Sequence, residues 1–151
     1  MHVTALMSSV ITHSEQACRL PAESSGTQVT GAYYDRGVPD CLFCGIAAGR
    51  IPATVVHDGK RIFAFRDINP QAPTHVLVVP REHFPNVAAL AAAGDGQLDE
   101  LISAAREVAV AEGIDGRGYR VVFNTGQDAG QTVDHVHAHV LGGRPMAWPP
   151  G

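Results

Sequence analysis

A chain of 151 residues with 45% hydrophobic residues and a formal charge of −4 has the length and balance of one globular domain with a sizeable core. Its 11 Lys and Arg residues are scattered, with no basic run or stripe, so nucleic acid is not expected as a partner. No apolar stretch approaches the roughly 20 residues of a membrane span, so no membrane partner is expected either.

The opening MHVTALMSSVIT has no positive n-region, and a secretory signal is not expected. Cys18, Cys41 and Cys44 do not form an even disulfide framework and suit a reducing, cytoplasmic compartment. Residues 1–38, rich in Ser, Thr, Gly and Ala, read as a flexible, partly disordered arm. An arm docked through Tyr33 and Tyr34 is the alternative. The folded domain is expected over 39–151. Asp40 is the expected N-cap of a short helix through CLFCGIAAG, stopped at Gly49 ahead of Ile51–Pro52. TVVHD and RIFAF read as two strands joined by Asp58–Gly59–Lys60, a hairpin signal. DINPQAPT is a loop, and HVLVVP, bounded by Pro80, is a mostly buried strand. Leu98, Leu101, Ile102, Ala105, Val108 and Ala109 recur at helical spacing, which predicts one amphipathic helix over 97–112, ended by Gly113. YRVVFN is the next strand, GQDAGQT a loop and VDHVHAHVL the last strand. The expected class is α+β, with one short and one long helix beside about five mostly antiparallel strands.

The segment DHVHAHVLGGRP places His135, His137 and His139 at alternate positions, three of the eight histidines in the chain. Strand alternation points all three to one face and sends Val136, Ala138 and Val140 to the other, where the long helix can cover them. Neighbouring groups that could all charge lie within about 7 Å of one another in such a row, which costs stability unless something uses it. A three-histidine metal site is one use. A nucleophilic imidazole whose neighbours fix its tautomer is another. Just upstream, NTGQDAGQTV supplies Asn124, Gly126, Gly130, Gln131 and Thr132, a candidate anion cradle of backbone N–H groups and neutral donors.

GQTVDHVHAHVLGGR resembles the signature of the histidine triad (HIT) superfamily, His-φ-His-φ-His-φ-φ with φ apolar. IPATVV, FAFRDINPQAPTHVLVVPREH, RVVFNTGQDAGQ and RPMAWPPG extend the resemblance, in order, to the Hint branch of nucleoside phosphoramidases, over about Asp40 to Gly151. The resemblance implies a HIT-like fold, a homodimer, and a purine nucleotide substrate such as an AMP derivative. It makes His137 the nucleophile toward the α-phosphorus, with His139 and His75 close by. Asn124, Gly130, Gln131 and Thr132 align with α-phosphate contacts, and Thr132 with a residue near the leaving-group nitrogen. Asp67 aligns with a ribose-binding carboxylate, and Leu42, Phe43, Ile46, Phe65 and Ile68 with a nucleobase slot. Apolar residues at such spacing are also ordinary core. Trp148, in the C-terminal tail, is expected near the partner's site. No catalytic metal is expected.

Cys41-x-x-Cys44 by itself reads as two buried thiols, a redox pair or half a zinc site. No strand precedes it, as a thioredoxin-like motif requires. Zinc-bearing relatives add one histidine from a PxxH segment and one from the first triad position. The resemblance therefore implies a structural zinc on Cys41, Cys44, His83 and His135, which removes His135 from acid–base work. The activity implied is hydrolysis of the P–N bond of purine nucleoside 5′-phosphoramidates. A Fhit-like dinucleoside polyphosphate hydrolase shares the GQTV and triad motifs. A uridylyl transferase is disfavoured because that family carries Gln where this chain has His139. A purine-nucleotide-binding module without activity is the rival outside catalysis.

Overall fold

The computed structural model describes residues 41–150, so the arm over 1–38 and Asp40 lie outside the described residues. The first helix, α1 (Leu42–Ala47), starts one residue later than expected, with Cys41 at its N-cap position and no side-chain cap. Gly49 follows it at φ 70°, the left-handed conformation that ends a helix.

Strands β1 (Val55–Asp58) and β2 (Ile62–Arg66) form the expected hairpin, with Asp58 opposite Phe63. Its turn closes by the Gly59 N–H donating to the Ile62 carbonyl at 2.9 Å. β3 (Thr74–Pro80) is buried along its whole length. With β4 (Arg120–Val122) and β5 (Ala138–Gly142) these form one antiparallel sheet in the order β1-β2-β3-β5-β4. The sheet's period of two sorts its side chains into two layers. Ile62, Ala64, Val76, Val78, Ala138 and Val140 face one way and pack with Leu101, Ala104, Ala105, Val108 and Ala109 of the long helix α3 (Gln97–Ala111). Phe63, Phe65, Leu77 and Val79 face the other way, under Phe43 of α1.

Among the described residues there are three α-helices where two were expected. The additional one, α2 (Val87–Ala93), is capped by Asn86, whose Oδ1 accepts the Ala89 N–H at 3.0 Å, and ends at Gly94 with φ 65°. Both caps stand in the sequence, N-VAALAAA-G, but a seven-residue alanine-rich run shows too little periodicity to announce itself. Leu90 from this helix enters the α3 side of the core.

The last strand is shorter than VDHVHAHVL. Pairing with β3 stops at Val78–Ala138 because the next partners approach Pro80, which has no N–H to give. The Val136 N–H turns instead to the Phe84 carbonyl at 2.7 Å. Val136 still sits in the α3-side core beside Ala138 and Val140. The alternation of faces thus outlasts the ladder. No helix among the described residues is long and apolar enough to cross a membrane.

Candidate functional site

Two polar clusters lie on the layer opposite α3. The first brings together Cys41, Cys44, His83 and His135, whose ligand atoms all fall within 4.8 Å of one another. Cys41 Sγ lies 3.4 Å from His135 Nδ1, and Cys44 Sγ lies 3.5 Å from both His135 Nδ1 and His83 Nδ1. His135 Nε2 donates to the Pro80 carbonyl at 2.9 Å, so the neutral ring carries its proton there and turns the Nδ1 lone pair to the thiols. Burial drives the His135 pKa down to about 4, with the Pro80 bond only partly opposing it and His83 and His137 adding to the fall. The ring is neutral near pH 7, as a metal ligand must be. Tetrahedral zinc with Zn–S of about 2.3 Å and Zn–N of about 2.0–2.1 Å spaces sulfur and nitrogen about 3.5 Å apart. The donor set and its spacing therefore fit a structural zinc.

The second cluster begins at His139 on β5. His75 lies diagonally across β3–β5, since His75 pairs with Leu141 and Leu77 with His139. Their rings meet at 2.9 Å, Nε2 to Nδ1. The backbone N–H of Gln71 donates to His75 Nδ1 at 3.1 Å, which places the proton of the neutral ring on Nε2. His75 Nε2–H then donates to His139 Nδ1, and the proton of His139 falls on its own Nε2. Among the described residues, that Nε2 is the buried side-chain nitrogen or oxygen with no hydrogen-bond partner. Asp67 Oδ2 stands 3.4 Å from His75 Nε2, while its Oδ1 accepts the Asn69 N–H at 2.8 Å. Burial lowers the pKa of His75 against the pull of Asp67. Burial also takes His139 down to about 4, reinforced by His137 and His75 and opposed by Asp67.

His137 lies between the clusters. Its Nδ1 donates to the His135 carbonyl at 2.7 Å, so the neutral ring leaves Nε2 unprotonated. The His137 and His139 rings are 5.0 Å apart, edge to face. The structure thus separates three histidines that read as equivalent. His135 belongs to the thiols, His139 to His75, and His137 presents a lone pair.

Other nominated residues divide. Phe43 and Phe65 are buried core, in edge-to-face contact at 5.6 Å. Ile46 is half-buried against the same layer. Leu42 and Ile68 are exposed, Ile68 at 99%, and so is Trp148 at 84%. Asn124 is half-buried and Thr132 exposed. Gln131 is engaged by its own loop and by the segment before α2. Its Oε1 accepts the Gly126 N–H at 2.9 Å, and its Nε2 donates to the carbonyls of Pro85 and Val133 at 2.6 and 3.0 Å. The N–H groups of Gly130 and Gln131 go to the carbonyls of Gln127 and Gly126. The N–H groups of Gly126, Gly130 and Gln131 are thus all used within the protein. The groups that assign the tautomers, Pro80 and His135 carbonyls and the Gln71 N–H, are main-chain atoms without a residue-type signal in the sequence. A concavity of about 200 Å³ between the β1–β2 hairpin and α3, lined by His57, Arg61, Glu100 and Glu107, includes none of the nominated residues.

This fold, with an alternating histidine row on the face away from the long helix, defines a histidine-triad protein. The family model for the HIT domain matches residues 48–146, and the chain belongs to that family. An uncharacterized HIT-like protein of Synechocystis sp. is 45% identical over 112 residues, 74% of this chain and 97% of that protein. A 14 kDa zinc-binding protein of Zea mays is 45% identical over 113 residues, 73% of this chain and 87% of that protein. Among solved structures, a HIT family hydrolase of Legionella pneumophila is 50% identical, with TM-score 0.72 over 74% of this chain and 100% of that one. A histidine triad nucleotide-binding protein of Candida albicans is 30% identical, with TM-score 0.64 over 73% of this chain and 83% of that one.

Proposed function

We propose that the protein is a Hint-type nucleoside phosphoramidase, hydrolysing the P–N bond of purine nucleoside 5′-phosphoramidates through a nucleotidyl-His137 intermediate. The observation that carries this reading is the His137 tautomer, with Nδ1–H held by the His135 carbonyl and the Nε2 lone pair available for attack. The known hydrolase and nucleotide-binding relatives support the class.

His137 Nε2 attacks the α-phosphorus, forming P–Nε2 while the P–N bond to the amine breaks. The imidazole becomes cationic, and the His135 carbonyl stabilises that charge through Nδ1–H. The His139 Nε2–H, buried and without a hydrogen-bond partner, is the donor offered to a phosphoryl oxygen as charge builds there. Asn124 and Thr132 serve the phosphate as neutral donors, and the departing amine takes a proton from solvent water beside exposed Thr132. Water then attacks phosphorus, the P–Nε2 bond breaks with its electron pair returning to His137, and the 5′-monophosphate leaves while the water's proton passes to solvent. Asp67 receives the ribose hydroxyls, and exposed Leu42 and Ile68 flank the base. Cys41, Cys44, His83 and His135 would hold a structural zinc, which would fasten α1 to the approach to β5.

We further read the protein as a cytoplasmic homodimer. α3 leaves Ile102 and Val110 about half exposed, β4 is an outer strand, and Trp148 projects from the tail. The activity is tested by assaying an adenosine phosphoramidate and a dinucleoside polyphosphate with wild type and His137→Ala. Wild type should cleave the phosphoramidate, and the variant should lose turnover while still binding AMP. A preference for the polyphosphate would indicate the Fhit-like reaction, and binding without turnover of either would indicate a binding module.

A further inference from the structure

We infer that Phe43 is a positioning residue for His137, so that the turn carrying Cys41 and Cys44 also sets the angle of the attacking imidazole; this rests on the assignment of His137 above. The family resemblance aligns Phe43 with a nucleobase slot, and at 4% exposure most of its ring is in contact with the protein itself. That ring meets His137 at 5.1 Å and 80°, and His135 at 5.9 Å and 68°. Phe65 stands against it at 5.6 Å and 66°.

A single hydrogen bond at Nδ1 pins one atom of His137 but leaves the ring free to tilt, carrying Nε2 away from the line of attack. An edge-to-face neighbour removes that freedom by adding a directional ring contact to plain burial. Phe43 can hold its place because its helix is tied to the rest of the domain: Arg81 Nη1 donates to the Ala47 carbonyl at its C-terminal end at 3.2 Å, and Cys41 at its N-cap lies 3.4 Å from His135 Nδ1. The two cysteines that bracket Phe43 in C-L-F-C face His135 and His83. The metal cluster and the nucleophile are thereby joined through one aromatic ring.

The test is Phe43→Leu, which keeps apolar bulk without a flat ring, with Phe43→Met as a second variant should the first fold poorly. Each is assayed for kcat, KM and AMP affinity, and His137 is followed by long-range ¹H–¹⁵N NMR of its ring. The expected result is a fall in kcat of about 3- to 10-fold, with KM and AMP affinity within about twofold. The His137 ring signals should broaden or move from the pure Nδ1–H pattern, while those of His75 stay. Raised KM and weaker AMP binding, with kcat and the His137 signals unchanged, would show a base-binding residue and overturn the inference. If wild type cleaves no phosphoramidate, the proposed activity fails, and the NMR arm still decides whether Phe43 orders His137.

Discussion

His139 is a buried base that the folded protein keeps neutral, and this predicts a specific loss of stability in acid. Its pKa falls from 6.5 to about 4, first because burial strips water from the charged ring, then because His137 and His75 repel it. Above pH 6.5 neither folded nor unfolded chain protonates it, and it contributes no pH dependence. Between 6.5 and about 4 the unfolded chain binds a proton that the folded chain refuses, so stability drops as pH falls and levels off near 4. Full shielding would make this roughly 3 kcal/mol, and allowing for solvent screening of a half-buried ring leaves about 1–2 kcal/mol. His139→Gln removes the titrating group and keeps a neutral amide that can accept from His75. Urea midpoints for both proteins, read at intervals from pH 7.5 down to about 4.5, give the difference directly. Acid release of a bound zinc and the titration of His75 are common to both and largely cancel. The gap between the two should narrow by about 1–2 kcal/mol toward acid, whatever the variant costs at neutral pH. Two curves that fall in parallel would refute desolvation of His139 as the cause.

Protein purified without a histidine tag should carry about one zinc per chain, and Cys44→Ala should carry far less. Chelation should lower the thermal midpoint of wild type but hardly move that of the variant; near-zero zinc in wild type ends the assignment. Sedimentation equilibrium should find a dimer, and Val110→Asp, placing a charge on the exposed side of α3, should shift it toward monomer. A wild-type monomer at all concentrations would remove the dimer from the reading.

Much of the architecture was legible because it follows from periodicity. The hairpin signal at Asp58–Gly59–Lys60, the β-branched run before Pro80 and the 3.6-residue spacing of α3 each specify one element. The sorting of 136, 138 and 140 from 135, 137 and 139 came from period two and holds even where pairing has ceased. What escaped depends on partners distant in the chain. β5 begins late because of Pro80, some 58 positions upstream of Ala138. α2 depends on the Asn86 cap and on Leu90 finding α3, which a short alanine run does not reveal. The pairing of Cys41 and Cys44 with His83 and His135 was implied by resemblance, since spacing within C-x-x-C says nothing of its other ligands. Gln131 looked like a phosphate contact because an amide beside glycines can be one. Its bonds to Gly126, Pro85 and Val133 show the competing use of the same chemistry.

The proton positions along the histidine row are dictated by the Pro80 and His135 carbonyls, which no substitution can delete, and by the Gln71 N–H, which only proline would remove. Side chains around the row can therefore drift without reversing the direction in which its donors and acceptors point. The vulnerable changes are proline at position 71 and those that displace the main chain, such as an insertion between Gln71 and His75. Such an insertion would keep all of the row's residues and take away the N–H that sets the proton of His75, and with it the direction of the His75–His139 bond.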